Sequence, residues 1–168
     1  MIHELSFIKA EVKDFDCIFS IIKKVRLNSE KENVFQWDDT YPTKEIVLND
    51  IAAEHTFFIY EDNKKVGFLV LNNKCEHNDP NRIKWLNNGK FLFLHRFCID
   101  PDFQKSGLGT NVLKKIETDA IADNVLSIRL DVFSTNEHAI YLYEKLGYAK
   151  LGEDLCNRGI FYIYEKLL

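Results

Sequence analysis

The sequence predicts a single α/β domain spanning residues 1–168, with a mixed β-sheet of about six to seven strands flanked by about four helices. Three observations carry this. Hydrophobic periods of two and of 3.6 residues follow one another in the order β-α-α-β-β-β-α-β-α-β-β. In the middle of the chain a strand, a helix and a second strand follow in direct succession, the pattern of a crossover that sets two strands parallel. Finally, 168 residues with 46% hydrophobic and 29% charged side chains leave room for one domain with a sizeable core and argue against disorder.

Residues Leu5–Ala10 alternate apolar and polar and predict a first strand. From Asp14, the spacing of Phe15, Ile18, Phe19, Ile22 and Val25 predicts an amphipathic helix that Asp14 caps and that fades near Asn28. A polar, irregular stretch from Asn28 to Thr43 holds Phe35, Trp37 and Tyr41, rigid rings of the kind that line ligand sites or form satellite core. Thr43 opens a second helix running to about Glu54. The runs Thr56–Glu61 and Lys65–Asn72, separated by Asp62-Asn63-Lys64, read as a hairpin, and Gly67 within the second marks a bulge or a close approach.

Residues Asn73–Gly89 read as an extended loop with room for one helical turn. A strand from Lys90 to Ile99 follows, then a glycine loop and a helix from Gly107 to about Asp123. Ser127–Phe133 is the next strand. Ser134, Thr135 and Asn136 supply caps for a helix from Glu137 to Leu146 that Gly147 ends. The strands Tyr148–Leu151 and Ile160–Lys166, joined by a polar loop holding Asn157-Arg158-Gly159, complete the chain.

A net charge of −4 and the lack of long basic runs argue against nucleic acid as a partner. No apolar stretch approaches a membrane span and the N-terminus lacks a signal-peptide pattern, so the expectation is a cytoplasmic protein with no membrane partner. Cys17, Cys75, Cys98 and Cys156 are widely spaced and form no CxxC pair, so neither zinc nor a redox dithiol is indicated, and no metal is expected. Cys98, inside an apolar strand, reads as a small buried hydrophobe.

The chemistry concentrates in FLFLHRFCIDPDFQKSGLGTNVLKKIE, residues 91–117. Gly107 and Gly109 sit where a strand passes into a helix. Without Cβ atoms there, successive backbone N–H groups can share one concavity at a helix N-terminus, a fit for phosphate or pyrophosphate. The chain has no Gly-Lys-Ser/Thr, which argues against a P-loop, and Val112 stands where a dinucleotide fingerprint needs its third glycine. The same loop also reads as a plain strand-to-helix turn whose glycines ease packing.

Gln104-Lys105-Ser106-Gly107-Leu108-Gly109, after a strand ending in Ile-Asp-Pro, resembles motif A of the GNAT superfamily of acyl-CoA-dependent N-acetyltransferases. One strand later, Asn136 to Tyr148 (NEHAIYLYEKLGY) resembles motif B of the same superfamily, and the element order agrees with it. The resemblance implies acetyl-CoA as co-substrate, with the backbone of Phe97, Cys98 and Ile99 pairing with the pantetheine arm. It implies a pyrophosphate on the amides of Gln104, Lys105, Ser106, Gly107, Leu108, Gly109 and Thr110, with Lys105 adding charge. Asn136 would bond the pantetheine, besides being a good N-cap, and Tyr143 would protonate the departing thiolate, although a core role also suits a tyrosine there.

Direct attack by a neutral amine needs an oxyanion held by a backbone N–H and a base for the amine proton. His95 is the candidate base, since superfamily members carry a His or Glu on this part of the strand, though a core histidine fits the position too. Strand alternation sets Phe93, His95 and Phe97 on one face and Leu94, Arg96 and Cys98 on the other. His138 is expected to face water, and ordered water serves instead of a side-chain base in many relatives. Phe35, Trp37 and Tyr41 are the acceptor-site candidates, and Asp38, Asp39 and Glu32 could draw a cationic amine.

The function implied is transfer of an acetyl group from acetyl-CoA to a primary amine of a small molecule. Two alternatives stand beside it: a protein N-terminus or lysine as acceptor, and a non-catalytic acyl-CoA-binding module. Dimers are common among members of the superfamily, which leaves a homodimer open.

Overall fold

Seven strands are present in the computed structural model, which describes residues 4–76 and 82–168: β1 (Leu5–Lys9), β2 (Thr56–Glu61), β3 (Lys64–Asn72), β4 (Phe91–Ile99), β5 (Ser127–Phe133), β6 (Ala149–Cys156) and β7 (Gly159–Leu167). The helices are α1 (Phe15–Lys31), α2 (Lys44–Ala52), α3 (Leu108–Ala122) and α4 (Glu137–Lys145), with 3-10 turns at Val12–Asp14 and Pro101–Phe103. The order is the one the periodicities predict, and the strands form one mixed sheet in the order β1-β2-β3-β4-β5-β7-β6. The pair β4 and β5 is parallel, as the crossover requires, with a register running from Phe91↔Ser127 to Leu94↔Leu130. Strand β7 is antiparallel to both of its neighbours, β5 and β6. The helical turn expected within 73–89 falls in a stretch that includes residues 77–81, outside those described.

Local chemistry accounts for most boundaries. Thr43 Oγ1 accepts from the Ile46 amide and Asn136 Oδ1 from the Ala139 amide, both N-caps, and Gly147 at φ 88° ends α4. Several ends shift by one or two residues and α1 runs on to Lys31, past Asn28; two further differences have a specific local cause. Asp14 does not cap α1 with its side chain: its carboxylate accepts from the Glu11 amide at 2.9 Å, one half of a capping box that closes the 3-10 turn before α1. Strand β6 runs five residues further than Leu151, to Cys156, and meets β7 through a tight turn in which Gly159 has φ 131°. Glu153, Leu155 and their alternate neighbours share an edge strand with an exposed side, so the polar composition that suggested a loop is the composition of a sheet edge.

The chain divides into two compact units, residues 1–71 with 96–112 and residues 72–95 with 113–168. In the first, Ile18, Ile22, Trp37, Ile51, Phe58 and Phe68 belong to one buried apolar cluster that Cys98 joins. Gly67 on β3 makes the close approach its position suggested: a Cβ there would lie 2.2 Å from the Cys98 carbonyl oxygen and 3.0 Å from Ile99 Cα. Burial pushes the Cys98 thiol pKa up, which suits a small hydrophobe and not a nucleophile.

In the second unit, Glu165 is fully buried and accepts from Arg129 Nε at 2.9 Å, Ser127 Oγ at 2.7 Å and the Leu86 amide at 2.5 Å. The Arg129 guanidinium lies between the rings of Trp85 (4.0 Å) and Phe91 (3.8 Å) and donates to the Asn87 carbonyl at 2.7 Å. This network ties the segment before β4 to β5 and β7, and it explains how a long polar connection stays seated.

Candidate active site

The glycine loop is built by the first unit. Asp100 caps the turn Pro101–Phe103 by accepting from the Asp102 amide at 3.1 Å, and Ser106 Oγ donates to the Phe103 carbonyl at 2.9 Å. Lys105 (φ 63°) and Gly107 (φ 81°) are both left-handed, the alternation that turns neighbouring amides into one concavity. The first bond of the α3 ladder runs from the Asn111 amide to the Gly107 carbonyl at 3.3 Å, so the amides of Leu108, Gly109 and Thr110 lie ahead of it, at the positive end of the helix. Buried Leu108 anchors the turn while Lys105, Ser106 and Gly107 stay exposed. No heavy atom lies within 4 Å of where a Gly107 Cβ would be, so that glycine answers to its φ and not to crowding.

Gln104 differs from its neighbours. Its amide donates to Pro101 O at 3.4 Å, closing the 3-10 turn, and its side chain donates to the Ile99 carbonyl at 2.9 Å and accepts from Asn28 at 3.4 Å. Lys24 on α1 adds an ion pair to Asp100 and Asp102, both at 2.7 Å. Together these tie α1 to the loop and to the end of β4.

Strand β4 carries a feature the alternation rule does not anticipate: Arg96 has φ 48° in mid-strand. The regular alternation expected from Phe93 to Cys98 is therefore interrupted at Arg96, although Phe93 and His95 do share a side, their rings stacked at 4.4 Å. The Arg96 guanidinium forks onto Asp50, at 2.7 and 2.9 Å, and donates to the Tyr41 hydroxyl at 2.6 Å.

The acceptor-site candidates separate. Phe35 is 53% exposed, Trp37 is buried in the core cluster, and half-buried Tyr41 is held by Arg96. Asp38 accepts from the Thr40 amide and hydroxyl, and Asp39 pairs with Arg26, so both carboxylates have local work, while Glu32 stands exposed at the end of α1.

His95, Asn136 and Tyr143 belong to the second unit. His95 is buried; its Nε2 lies 3.0 Å from Asn72 Oδ1 and 3.0 Å from the Lys74 carbonyl, and Glu76 Oε2 stands 3.9 Å from Nδ1. A carbonyl only accepts, so Nε2 carries a hydrogen. Tyr143 is buried with its ring against Tyr148 (5.8 Å) and Tyr164 (6.4 Å). Burial, with the Asp131 carboxylate second, pushes its pKa up, so the phenol stays protonated well beyond neutral pH. His138 and Tyr141 are exposed.

Sequence reasoning missed Asn72 and Glu76 around His95 and the Asp50–Arg96–Tyr41 network. A signal for the second was present. An arginine in a buried apolar strand must have a partner, and Asp50 in the short helix α2 was available to be one.

Residues 23–148 match the Acetyltransferase (GNAT) family. The spermine/spermidine N(1)-acetyltransferase of Bacillus subtilis is 34% identical over 96 residues, 56% of this chain and 59% of that protein, so the chain spans less than two thirds of that relative's length. The S-(2-succino)cysteine N-acetyltransferase of the same organism is 25% identical over 127 residues, 73% of this chain and 71% of that protein. A GNAT-family acetyltransferase structure from Streptococcus agalactiae superposes with a TM-score of 0.82 over 98% of this chain and 95% of that one, at 22% identity. With three quarters of its length matched and both motifs on the expected elements, the chain belongs to the GNAT acetyltransferase family.

Proposed function

We propose that the protein transfers the acetyl group of acetyl-CoA directly to a primary amine of a small-molecule acceptor. The observation that carries this reading is the glycine loop, whose left-handed Lys105 and Gly107 precede open helix amides in a chain of this family. The pyrophosphate would rest on the amides from Lys105 to Thr110, and the pantetheine arm would run along Phe97, Cys98 and Ile99; for Asn136 the family resemblance implies a bond to pantetheine. Gln104 acts mainly as a brace for the loop, through its bonds to Ile99 and Asn28.

The reaction forms a nitrogen–carbon bond and breaks the carbon–sulfur bond of the thioester. His95 Nδ1 takes the proton from the amine, with Nε2–H held by Asn72 and Lys74 and the Glu76 carboxylate 3.9 Å from Nδ1. A backbone N–H of the β4 end holds the oxyanion. Tyr143, kept neutral by burial, gives its proton to the departing thiolate. No covalent enzyme intermediate is needed.

Two relatives whose names specify small amines, a polyamine in one and an amino-acid derivative in the other, support the acceptor class. The test is thiol release from acetyl-CoA with two acceptor pools, one of polyamines and amino acids and one of short peptides. Release with the small amines supports the reading. Release with peptides alone would replace it with a protein acceptor, and binding of acetyl-CoA with no release from either pool would leave a binding module.

A further inference from the structure

We infer that Arg96 is a positioning residue: its guanidinium, locked between Asp50 and Tyr41, holds a left-handed turn in mid-strand that sets the direction of the Phe97–Ile99 backbone. The inference rests on the reading of that backbone as the partner of acetyl-CoA.

A non-glycine residue at φ 48° inside a strand occupies a sparsely populated conformation, which persists only where the surroundings over-determine it. Here they do. Arg96 Nε and Nη2 meet both oxygens of Asp50 at 2.7 and 2.9 Å, and Nη1 meets the Tyr41 hydroxyl at 2.6 Å. The three side chains come from α2, from the segment before it and from β4, and the ion pair is nearly dry, with side-chain exposures of 3% for Arg96 and 12% for Asp50.

Stability alone does not call for this arrangement, because buried ion pairs are commonly replaced by apolar side chains without loss. A planar fork that fixes direction is a different matter, and lysine would not supply it. Downstream of the turn there is little slack: Gly67 admits no Cβ against Cys98 and Ile99, and the Asp100 amide donates to Val66 O at 2.8 Å. A backbone fixed at Arg96 and held against β3 has its amide directions determined. The same contact gives Tyr41 a role other than acceptor binding, since its hydroxyl is a strut for the turn.

The test compares Arg96→Gly with Arg96→Ala. Both remove the clamp, but glycine adopts positive φ freely and alanine does not. Calorimetry would give the affinity for acetyl-CoA and for adenosine 3′,5′-bisphosphate, which carries the nucleotide end without pantetheine, and steady-state kinetics would give kcat and KM. Arg96→Ala should lower acetyl-CoA affinity or kcat about tenfold, with Arg96→Gly recovering most of the loss and the bisphosphate affinity unchanged in both. Tyr41→Phe, which leaves no buried charge unpaired, should produce a smaller loss of the same kind.

Equal values for the glycine and alanine variants, with the bisphosphate still bound, would overturn the inference, as would a Tyr41→Phe enzyme indistinguishable from wild type. If the unaltered protein binds acetyl-CoA but transfers nothing, the proposed reaction fails, and the affinities still decide the role of Arg96.

Discussion

In the proposed reaction Tyr143 and His95 stand at opposite ends of the proton traffic, and their surroundings differ accordingly. The Tyr143 phenol is buried and forms no hydrogen bond among the described residues, which leaves it able to donate to a leaving group. Tyr143→Phe should cut kcat by about 10²-fold, the lower end for a general acid, and spare acetyl-CoA affinity; unchanged turnover would remove Tyr143 from the mechanism. His95 is fixed as the Nε2–H tautomer by two acceptors. Nitrogen NMR of the ring should show a protonated Nε2 in the wild type and also in Asn72→Ala, where the Lys74 carbonyl still accepts. His95→Gln should slow turnover with acetyl-CoA affinity intact. Tyr143 was singled out by its place in the second motif and His95 by its place on the strand, whereas Asn72 closes β3 and Glu76 lies in the polar stretch after it, and their nearness to His95 arises only from where the chain folds back.

At the level of elements, two glycines of the first unit separate two reasons for having no side chain. Gly67 faces backbone at 2.2 Å, so Gly67→Ala overpacks and should cost about 1–3 kcal/mol, lowering the melting temperature by roughly 2–4 °C per kcal/mol. It should weaken acetyl-CoA binding as well, by displacing Cys98 and Ile99. Gly107 has open space around it but φ 81°, so Gly107→Ala should leave stability nearly intact apart from a backbone penalty of about 1–2 kcal/mol, with its main effect on cofactor affinity. A denaturation curve and a binding isotherm for each variant check both. The sequence flagged the two positions because glycine in a strand and in a strand-to-helix loop are rare without cause. It could not reveal the length of β6, because an edge strand with one wet face has the composition of a loop. Nor could it reveal the break at Arg96, since a left-handed arginine has no sequence signature.

For the molecule as a whole, buried phenols set the alkaline limit. Burial raises the pKa of Tyr143, Tyr148 and Tyr164, with Asp131, Glu117 and Glu144 adding to it in turn. Each group ionises in the unfolded chain near its ordinary value of about 10, but only at higher pH in the fold. The stability is therefore complete below about pH 10 and is lost as the pH climbs toward the folded values. Melting temperatures should be flat on this account from neutral pH to about 10 and then fall, less steeply in Tyr148→Phe. In that variant a buried hydroxyl with no hydrogen-bond partner among the described residues is removed, so little stability should be lost at neutral pH. The element order, the parallel β4–β5 pair and the glycine loop leading into α3 were all readable from periodicity and spacing. The Glu165–Arg129 network was not, because its partners are 36 residues apart and nothing local announces them.

The most direct measurement is a single turnover with enzyme in excess over acetyl-CoA labelled in the acetyl group, mixed with a small primary amine and followed by mass spectrometry of both protein and amine. Direct transfer predicts that the label leaves the thioester and reaches the amine in one exponential step, with none on the protein at any time. Label accumulating on the protein before the amine, or no transfer to any small amine while acetyl-CoA binds, would contradict the account.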